Sequence, residues 1–423
     1  MNVIQERLAA LRSKMQEHGI NYYVVPTADF HQSEYVGEHF KARKFITGFS
    51  GSAGVVGLDG AWLWVDGRYF LQAGEQLQGT TVELMKMGEP GVPTLDAFIN
   101  SNLKKGEKIG FDGRVVSMDE GQLYDEIAKK HEGCIEYSVD LIDEIWTDRP
   151  PLSEKLAFEL EVKYTGKTVA EKLADIREKM VEAEADMHVV TTLDDICWTL
   201  NIRGDDIDFF PLVLSYALMD ANEYHLYIDE RKLSDEIKAH FEKDGVVLHP
   251  YNDIYEDIKY ISEDTKLMLD ASKVNYALFC NIPESVKKID MMNPEMIFKN
   301  VKNHVELENI RKAQIKDSIA HLRLMKWLKE NVGKIEMTEL SVANKLDEFR
   351  AELGNFIRPS FEPISSYGAH AAIVHYAPSP ETDIPVLPKG LHLTDTGAGF
   401  YEGSTDITRT YVVGEITDQM KKD

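Results

Sequence analysis

The 423-residue chain has few cysteines, no excess of basic residues and no long hydrophobic run. Its three cysteines are far apart and form no CxxC pair, which is typical of reduced thiols in a cytoplasmic protein. The formal net charge of −25 disfavours nucleic acid and anionic membranes, because both bind basic surfaces. No apolar run approaches the roughly 20 residues that a membrane span needs. We therefore expect a cytoplasmic protein that binds neither nucleic acid nor membrane.

Several common catalytic motifs are also missing. An aspartic protease needs two Asp-Thr/Ser-Gly loops that share a proton. Asp395 begins such a tripeptide, but Asp406 does not, because Ile-Thr follows it. The glycines of residues 397–403 miss the GxGxxG spacing of dinucleotide-binding loops by one residue. No HExxH zinc motif is present. These absences argue against aspartic-protease, dinucleotide and zincin chemistry.

A helix-then-strand pattern occurs twice in the chain. Residues 6–15 align without gaps to residues 171–180, and six of the ten positions are identical. The same offset of 165 superposes the apolar pair Val24–Val25 on Val189–Val190. A solenoid needs at least three repeats, so the pattern instead predicts two related α/β domains. Chance similarity between two amphipathic helices is the alternative.

Breaks in the pattern divide the chain into three predicted domains, 1–150, 151–300 and 301–423. The first boundary is at Pro150–Pro151, because consecutive prolines cannot continue a helix or a strand. The second boundary follows Asn293–Pro294.

The third domain is predicted to begin with two helices and to continue with strands. Gly333 ends the first helix, and Thr338 caps a second helix that runs to about Leu353. The predicted inner stripe of the first helix consists of Ile315, Ile319, Leu322, Met325 and Leu328. The predicted strands are 361–366, 372–376, 391–394 and 406–413. Helices followed by strands in one block indicate an α+β domain.

Asp395 and Asp406 stand eleven positions apart in the segment LTDTGAGFYEGSTDITRT. A β-hairpin would bring them side by side, where two carboxylates repel unless a proton or cations lie between them. Carboxylate oxygens suit hard or borderline cations such as Mn²⁺, and two such ions can share a carboxylate and activate a water. On spacing alone, the favoured alternative to a metal site is that Asp395 and Asp406 stabilise turns at a sheet edge.

This segment resembles the first metal-ligand segment of the Xaa-Pro aminopeptidases (aminopeptidase P), which belong to the pita-bread metallopeptidases. Residues 364–378 resemble the family segment that holds a substrate-binding histidine. Residues 47–54 and 64–73 resemble the first domain of the three-domain type, and residues 201–206 resemble its second domain. The resemblance covers the whole chain in order. It implies two related N-terminal α/β domains followed by a pita-bread catalytic domain.

In that family two aspartates, a histidine and two glutamates hold two Mn²⁺ ions. The resemblance implies that Asp395 binds one metal and that Asp406 bridges both. It implies that His375 binds the substrate and acts catalytically by stabilising the tetrahedral intermediate. Arg68 matches a family position that contacts the peptide, across a homodimer. His370 and His392 do not match the third ligand, and we interpret His392 as structural.

The implied reaction releases the N-terminal residue from peptides with proline in second position, by attack of a hydroxide that bridges the two metals. The remaining three ligands lie in later segments of the family's catalytic domain. We therefore expect this domain to be truncated, and the chain alone to bind Mn²⁺ weakly and to turn over poorly. One alternative is a non-catalytic peptide-binding or dimerisation protein that retains the fold. Creatinase-like chemistry on a small molecule is another.

Overall fold

The computed structural model of the chain describes residues 2–49, 55–57 and 59–422, and at residues 55 and 56 it describes the backbone alone. Most of the glycine- and serine-rich motif at 47–54 therefore lies outside the described residues. Within the described part of the chain, every helix is too short or too polar to serve as a membrane span.

Contacts along the chain define two compact units. The first consists of Met1–Glu159 and Lys167–Val301, and the second of Leu160–Gly166 and Lys302–Asp423. Each unit has its own secondary structure and its own hydrophobic core.

The first unit contains two six-stranded sheets. The strands of the first sheet are Tyr22–Val24 (β1), Val55–Gly57 (β2), Ala61–Val65 (β3), Val82–Lys86 (β4), Lys108–Phe111 (β5) and Cys134–Glu136 (β6). A two-stranded sheet consists of Phe158–Glu159 (β7) and Ile202–Arg203 (β9). The strands of the second sheet are Met187–Val190 (β8), Ser215–Met219 (β10), Tyr224–Ile228 (β11), Val246–His249 (β12), Lys266–Leu269 (β13) and Lys287–Asp290 (β14).

The two six-stranded sheets have the same topology. Their strand orders are β4-β3-β2-β1-β5-β6 and β12-β11-β10-β8-β13-β14. In each sheet the first strand pairs antiparallel with the second and parallel with the fifth. This shared order confirms that the first unit contains two related α/β domains, as the sequence repeat predicts.

Helices cover these sheets. The α-helices of the first unit are Val3–Glu17 (α1), Ala42–Thr47 (α2), Phe70–Gln76 (α3), Leu95–Asn102 (α4), Met118–Lys130 (α5), Val169–Glu182 (α7), Leu193–Thr199 (α8), Asp235–Lys243 (α9), Ile254–Asp257 (α10), Tyr276–Asn281 (α11) and Pro294–Asn300 (α12). A short helix at Val162–Thr165 (α6) belongs to the second unit. The 3-10 helices are Glu38–Phe40, Gly67–Tyr69, Glu230–Lys232, Tyr251–Asp253 and Ile258–Tyr260 in the first unit and Gly368–Ala372 in the second.

The repeated helices α1 and α7 start in the same way. Asn2 and Thr168 each form a capping box, in which the side chain and the third helical residue satisfy each other's backbone N–H groups. Both helices bury an apolar stripe against their own sheet, and that of α1 consists of Ile4, Leu8, Leu11 and Met15.

The second unit is an α+β domain, as predicted. Its longer helices are His304–Asn331 (α13) and Glu339–Ala351 (α14), and a short helix lies at Asp418–Lys422 (α15). Its strands are Phe356–Pro359 (β15), Ile364–Tyr367 (β16), Leu391–Thr396 (β17), Ala398–Phe400 (β18), Gly403–Ser404 (β19) and Ile407–Val412 (β20). They form two three-stranded sheets with orders β15-β18-β19 and β16-β17-β20. Thr338 caps α14 with a capping box, which confirms the predicted start of that helix.

The predicted inner stripe of α13 is wrong for three of its five residues. Ile315 and Leu322 are 61% and 60% exposed, and Ile319 is 37% exposed, whereas Met325 and Leu328 contact the core. The face that is buried instead consists of Asn309, Ala313, Asp317, Ala320, His321, Leu324 and Leu328. Polar residues occupy this buried face because they make hydrogen bonds there, which hydrophobic periodicity does not register.

The predicted strand at 372–376 is also wrong. Residues Gly368–Ala372 form a 3-10 helix, and the chain then makes a bend and a turn. His375 lies in this turn with a φ of 61°, an uncommon backbone conformation for a residue other than glycine.

Candidate functional site

The segment that carries Asp395 and Asp406 forms the predicted hairpin. In the β17–β20 pair Asp395 lies opposite Thr408, and in the β18–β19 pair Phe400 lies opposite Gly403. The two pairs share one register, so the strands turn back at Tyr401 and Glu402. The connection between the two strands is therefore a two-residue turn.

This register places the two aspartates on the same face of the hairpin. Asp406 immediately precedes β20, and the continued register sets it opposite Gly397, two residues beyond Asp395. Alternate residues of a strand share a face, so Asp395 and Asp406 are diagonal neighbours rather than directly opposed. Diagonal Cα atoms across an antiparallel pair are about 7–8 Å apart. That separation is short enough for two carboxylates to approach a common ion.

The electrostatics of the hairpin agree with this placement. The Asp395 carboxylate accepts a 2.8 Å hydrogen bond from Thr408 Oγ1, which orients it on the outer face. Partial burial raises the pKa of Asp406, and the negative charge of Asp395 raises it further. The two carboxylates therefore repel each other, and a proton or a cation between them would relieve that repulsion.

The donor chemistry of the pair fits a divalent cation in part. Carboxylate oxygens are the ligands that Mn²⁺, Mg²⁺ and Ca²⁺ prefer. In the described ranges, no three or more His, Cys, Asp or Glu side chains come together in a cluster able to hold a metal ion. Asp395 and Asp406 thus provide two donors, which are too few to complete a two-metal site by themselves.

Gly397, the glycine of the Asp-Thr-Gly tripeptide, lies where the backbone is tightly enclosed. A Cβ atom at this position would lie 2.0 Å from Ser360 Oγ and 2.2 Å from the carbonyl oxygen of Thr405. Ser360 Oγ in turn donates a 2.8 Å hydrogen bond to that carbonyl. The glycine is therefore explained by close approach of the backbone next to Asp406.

The inner face of the hairpin holds His392, which lies on the side of β17 opposite to Asp395. Burial lowers the pKa of His392 to about 4, so the ring is neutral at physiological pH. Its Nε2 lies 3.1 Å from Ser365 Oγ. The structure therefore gives His392 no access to the carboxylate pair.

A buried ion pair beneath the hairpin was missed by sequence reasoning. Arg350 on α14 and Asp317 on α13 are both fully buried, and Arg350 Nε donates a 2.8 Å hydrogen bond to Asp317 Oδ1. The pair also binds Thr396 and Thr405, the residues next to the two aspartates. A signal was present in the sequence, since Asp317 falls on the helical face that also carries Ala313, Ala320 and Leu324. Hydrophobic periodicity gave that signal no weight.

The segment that contains His375 is organised by Glu339, the first residue of α14. The buried Glu339 carboxylate accepts hydrogen bonds from Tyr367 N (2.5 Å) and from Tyr376 Oη (3.0 Å). His370 Nδ1 lies 2.9 Å from the same carboxylate. His375 itself is exposed, between Val374 and the anchored Tyr376.

Arg68 lies in the first unit, in the 3-10 helix that follows β3. Its guanidinium makes a bidentate ion pair with Asp66, with Nε–Oδ1 and Nη2–Oδ2 distances of 2.9 and 2.8 Å. The Arg68 side chain is 53% exposed. The same carboxylate caps the start of the 3-10 helix by accepting the Arg68 N–H, so Asp66 fixes both the backbone and the side chain of Arg68.

Comparison with known proteins identifies the class of protein that this fold and hairpin define. Residues 7–161 and residues 148–306 each match a Creatinase/Prolidase N-terminal domain, and residues 308–423 match Metallopeptidase family M24. The chain thus combines two creatinase-type α/β domains with a pita-bread metallopeptidase domain, which confirms the predicted fold class.

Individual relatives narrow this class. The chain is 37% identical to the probable Xaa-Pro aminopeptidase P of Neurospora crassa, over 99% of this chain and 63% of that protein. It is 36% identical to Xaa-Pro aminopeptidase 1 of Dictyostelium discoideum, over 98% of this chain and 68% of the relative. The crystal structure of an X-prolyl aminopeptidase from Caenorhabditis elegans, a cytosolic enzyme with a di-nuclear active site, matches with a TM-score of 0.94 and 33% identity, over 99% of this chain and 71% of that one. The chain belongs to the Xaa-Pro aminopeptidase (aminopeptidase P) family, and it spans less than two thirds of the length of the Neurospora crassa relative.

Proposed function

We propose that the chain supplies the N-terminal domains and two metal ligands of an aminopeptidase that releases the first residue from peptides with proline in second position. The observation that carries this proposal is the pair Asp395 and Asp406, on one face of a hairpin within the M24 region. The names of the relatives support the reaction class. The proposed division into domains is 1–150, 151–300 and 301–423.

Asp395 and Asp406 would hold the metal, and the proposed ion is Mn²⁺, with two ions in a complete site. A bound cation would polarise the scissile carbonyl and lower the pKa of a water molecule. Thr408 keeps one Asp395 oxygen oriented by its hydrogen bond. Because the described residues offer no third ligand next to the pair, we expect this chain alone to bind Mn²⁺ weakly and to turn over poorly.

The substrate contacts rest on the family resemblance. A peptide bond to proline carries no N–H, so recognition must use its carbonyl oxygen and the free amine of the preceding residue. We propose that His375 donates a hydrogen bond to the substrate and stabilises the tetrahedral intermediate. Arg68 is proposed to contact the peptide. A homodimer and a cytoplasmic location are proposed on the same basis, and light scattering of the purified chain tests the homodimer.

Manganese binding tests the ligand assignment directly. Titration of the full chain with Mn²⁺, followed by the EPR signal of the free ion, should show binding that Asp395→Asn and Asp406→Asn each weaken by at least tenfold. Asp418→Asn is the matched control, because it removes the same charge from an exposed position on α15. Equal Mn²⁺ binding by Asp406→Asn and Asp418→Asn would refute the assignment.

Hydrolysis tests the reaction class. With millimolar Mn²⁺, we expect slow release of arginine from an Arg-Pro-Pro peptide and none from Arg-Ala-Pro. His375→Ala should lower kcat with little change in Mn²⁺ affinity. Binding of the proline peptide without any hydrolysis, even at high chain and metal concentration, would instead favour the non-catalytic peptide-binding protein.

A further inference from the structure

The residues next to both candidate metal ligands are anchored to the same buried ion pair. Thr396 follows Asp395, and its Oγ1 accepts a 3.1 Å hydrogen bond from Arg350 Nη2. Thr405 precedes Asp406, and its Oγ1 donates a 2.5 Å hydrogen bond to Asp317 Oδ2. Arg350 and Asp317 are in turn joined by two hydrogen bonds, of 2.8 and 3.2 Å. One continuous chain of hydrogen bonds therefore connects the two strands beneath the carboxylate pair.

Thr405 is held at each of its polar atoms. Its N–H donates a 2.9 Å hydrogen bond to the carbonyl of Ala398, and its own carbonyl accepts one from Ser360 Oγ. Its Oγ1 accepts a 2.9 Å hydrogen bond from Ala398 N while donating to Asp317. The residue is only 6% exposed. The backbone that leads into Asp406 is therefore fixed in position.

Thr396 is anchored with similar completeness. It is 1% exposed and lies opposite Ile407 in the β17–β20 pair. His321 Nε2 lies 3.4 Å from Thr396 Oγ1, and His321 Nδ1 lies 3.0 Å from Tyr411 Oη. Burial lowers the pKa of His321 to about 4, so the ring is neutral and adds no charge to the network.

These anchors decide which way the two aspartates point. Successive residues of an extended strand project to opposite faces, so an inward side chain at 396 or 405 forces an outward one at 395 or 406. Valine at either threonine would keep the shape but lose the hydrogen bond to the ion pair. The mutual repulsion of Asp395 and Asp406 acts against their proximity, and the buried anchors oppose it.

We propose that Asp317 and Arg350 are positioning residues for the metal site. Through Thr405 and Thr396 they fix the separation and the outward orientation of Asp395 and Asp406. Outer residues that orient metal ligands typically contribute 10- to 100-fold to metal affinity. This inference rests on the proposed function, since it assumes that the aspartate pair binds a metal.

The test compares Mn²⁺ affinity in the full chain among matched threonine variants. Thr405→Val and Thr396→Val should each weaken Mn²⁺ binding by about tenfold or more. Thr394→Val is the control, because Thr394 is buried on the same face of β17 but makes no hydrogen bond to Asp317 or Arg350. Thr405→Ser should restore binding, since it returns the hydroxyl. Arg350→Lys keeps the charge without the forked geometry and should give intermediate affinity.

Two further readouts separate positioning from loss of fold. Hydrogen exchange of α13 and α14 at low temperature shows whether each variant remains folded. The EPR line shape of bound Mn²⁺ reports the ligand geometry, which would stay unchanged if Thr396 and Thr405 only stabilised the fold. If Asp406→Asn weakens binding while Thr405→Val and Thr396→Val bind like the unmodified chain, the positioning role is wrong. If Asp406→Asn has no effect, the proposed function fails first.

Discussion

Replacing Gly397 by alanine should distort the hairpin at the candidate metal site. The added Cβ would lie 2.0 Å from Ser360 Oγ, 2.2 Å from the Thr405 carbonyl oxygen and 2.7 Å from the Phe361 ring. The serine hydroxyl could rotate away, but the carbonyl belongs to a backbone that Asp317 and Ala398 hold through Thr405. The strand that leads into Asp406 would therefore have to move.

The expected loss of stability follows from these three close contacts. Overpacking a closely packed site costs about 1–3 kcal/mol, and the involvement of backbone places Gly397→Ala at the upper end of that range. A loss of about 3 kcal/mol accelerates amide exchange by roughly a hundredfold where exchange requires opening of the sheet. Exchange measured by mass spectrometry on peptides that cover β17 and β20 detects such a change. The variant should also lose Mn²⁺ affinity, because Thr405 and Asp406 shift together.

Gly399→Ala is the matched control for this prediction. Its Cβ would meet only the Arg358 carbonyl oxygen, at an ordinary 3.4 Å. Adding Ser360→Ala to Gly397→Ala removes the side-chain clash but leaves the backbone clash, so it should recover less than half of the lost stability. Amide exchange rates of Gly397→Ala within threefold of those of Gly399→Ala would show that close backbone approach does not require a glycine at position 397. That result would refute the link between Gly397 and the site.

Three further changes have expected outcomes that urea denaturation or hydrogen exchange can measure. Asp406→Asn should stabilise the metal-free second unit by about 0.2–1 kcal/mol at pH 7, because the raised pKa of Asp406 disfavours its ionised form in the fold. The gain should decline as the pH falls through the raised pKa and vanish only well below the usual aspartate pKa of about 3.9, where the carboxyl is protonated in both states. Glu295→Gln should cost about 3–5 kcal/mol in the first unit at pH 6, because Glu295 pairs with the fully buried His188 at 3.2 Å. Burial alone would lower the pKa of His188, but the Glu295 charge raises it, so this stabilisation should be present below about pH 6.5 and decline as the pH rises through the raised pKa. Glu339→Ala should speed exchange at residues 367–376 by about tenfold or more, since it removes a charge-assisted acceptor.

Local patterns were sufficient to predict much of the fold. The apolar spacing of Leu8, Leu11 and Met15 predicts α1, and Thr338 predicts the start of α14, because helix starts and amphipathic stripes depend on neighbouring residues. The strand expected at 372–376 does not form, because its segment bonds to the Glu339 carboxylate instead of to a neighbouring strand. That contact comes from a residue more than thirty positions away in sequence, which local pattern does not capture.

The candidate site could be predicted only to the level of a shared hairpin. A spacing of eleven brings Asp395 and Asp406 close, but which residue lies across from which depends on where the strands turn. A two-residue turn at Tyr401 and Glu402 sets Asp395 opposite Thr408 and makes Asp406 its diagonal neighbour. A shift of this register by one residue would have put the two carboxylates on opposite faces, with no possibility of a shared ion.

The inverted face of α13 and the architecture of the candidate site have one physical cause. A helix whose only task was to cover a sheet would bury Ile315, Ile319 and Leu322, which have the spacing and the hydrophobicity to do so. Instead α13 buries Asp317 and His321, whose burial is tolerable only because every charge and polar atom there finds a partner on the hairpin or on α14. The polar face of α13, which hydrophobic periodicity does not predict to be buried, therefore anchors the residues next to the two aspartates. Among the described helices of the second unit, α13 therefore buries a face whose polar groups are paired, while Ile315, Ile319 and Leu322 are exposed.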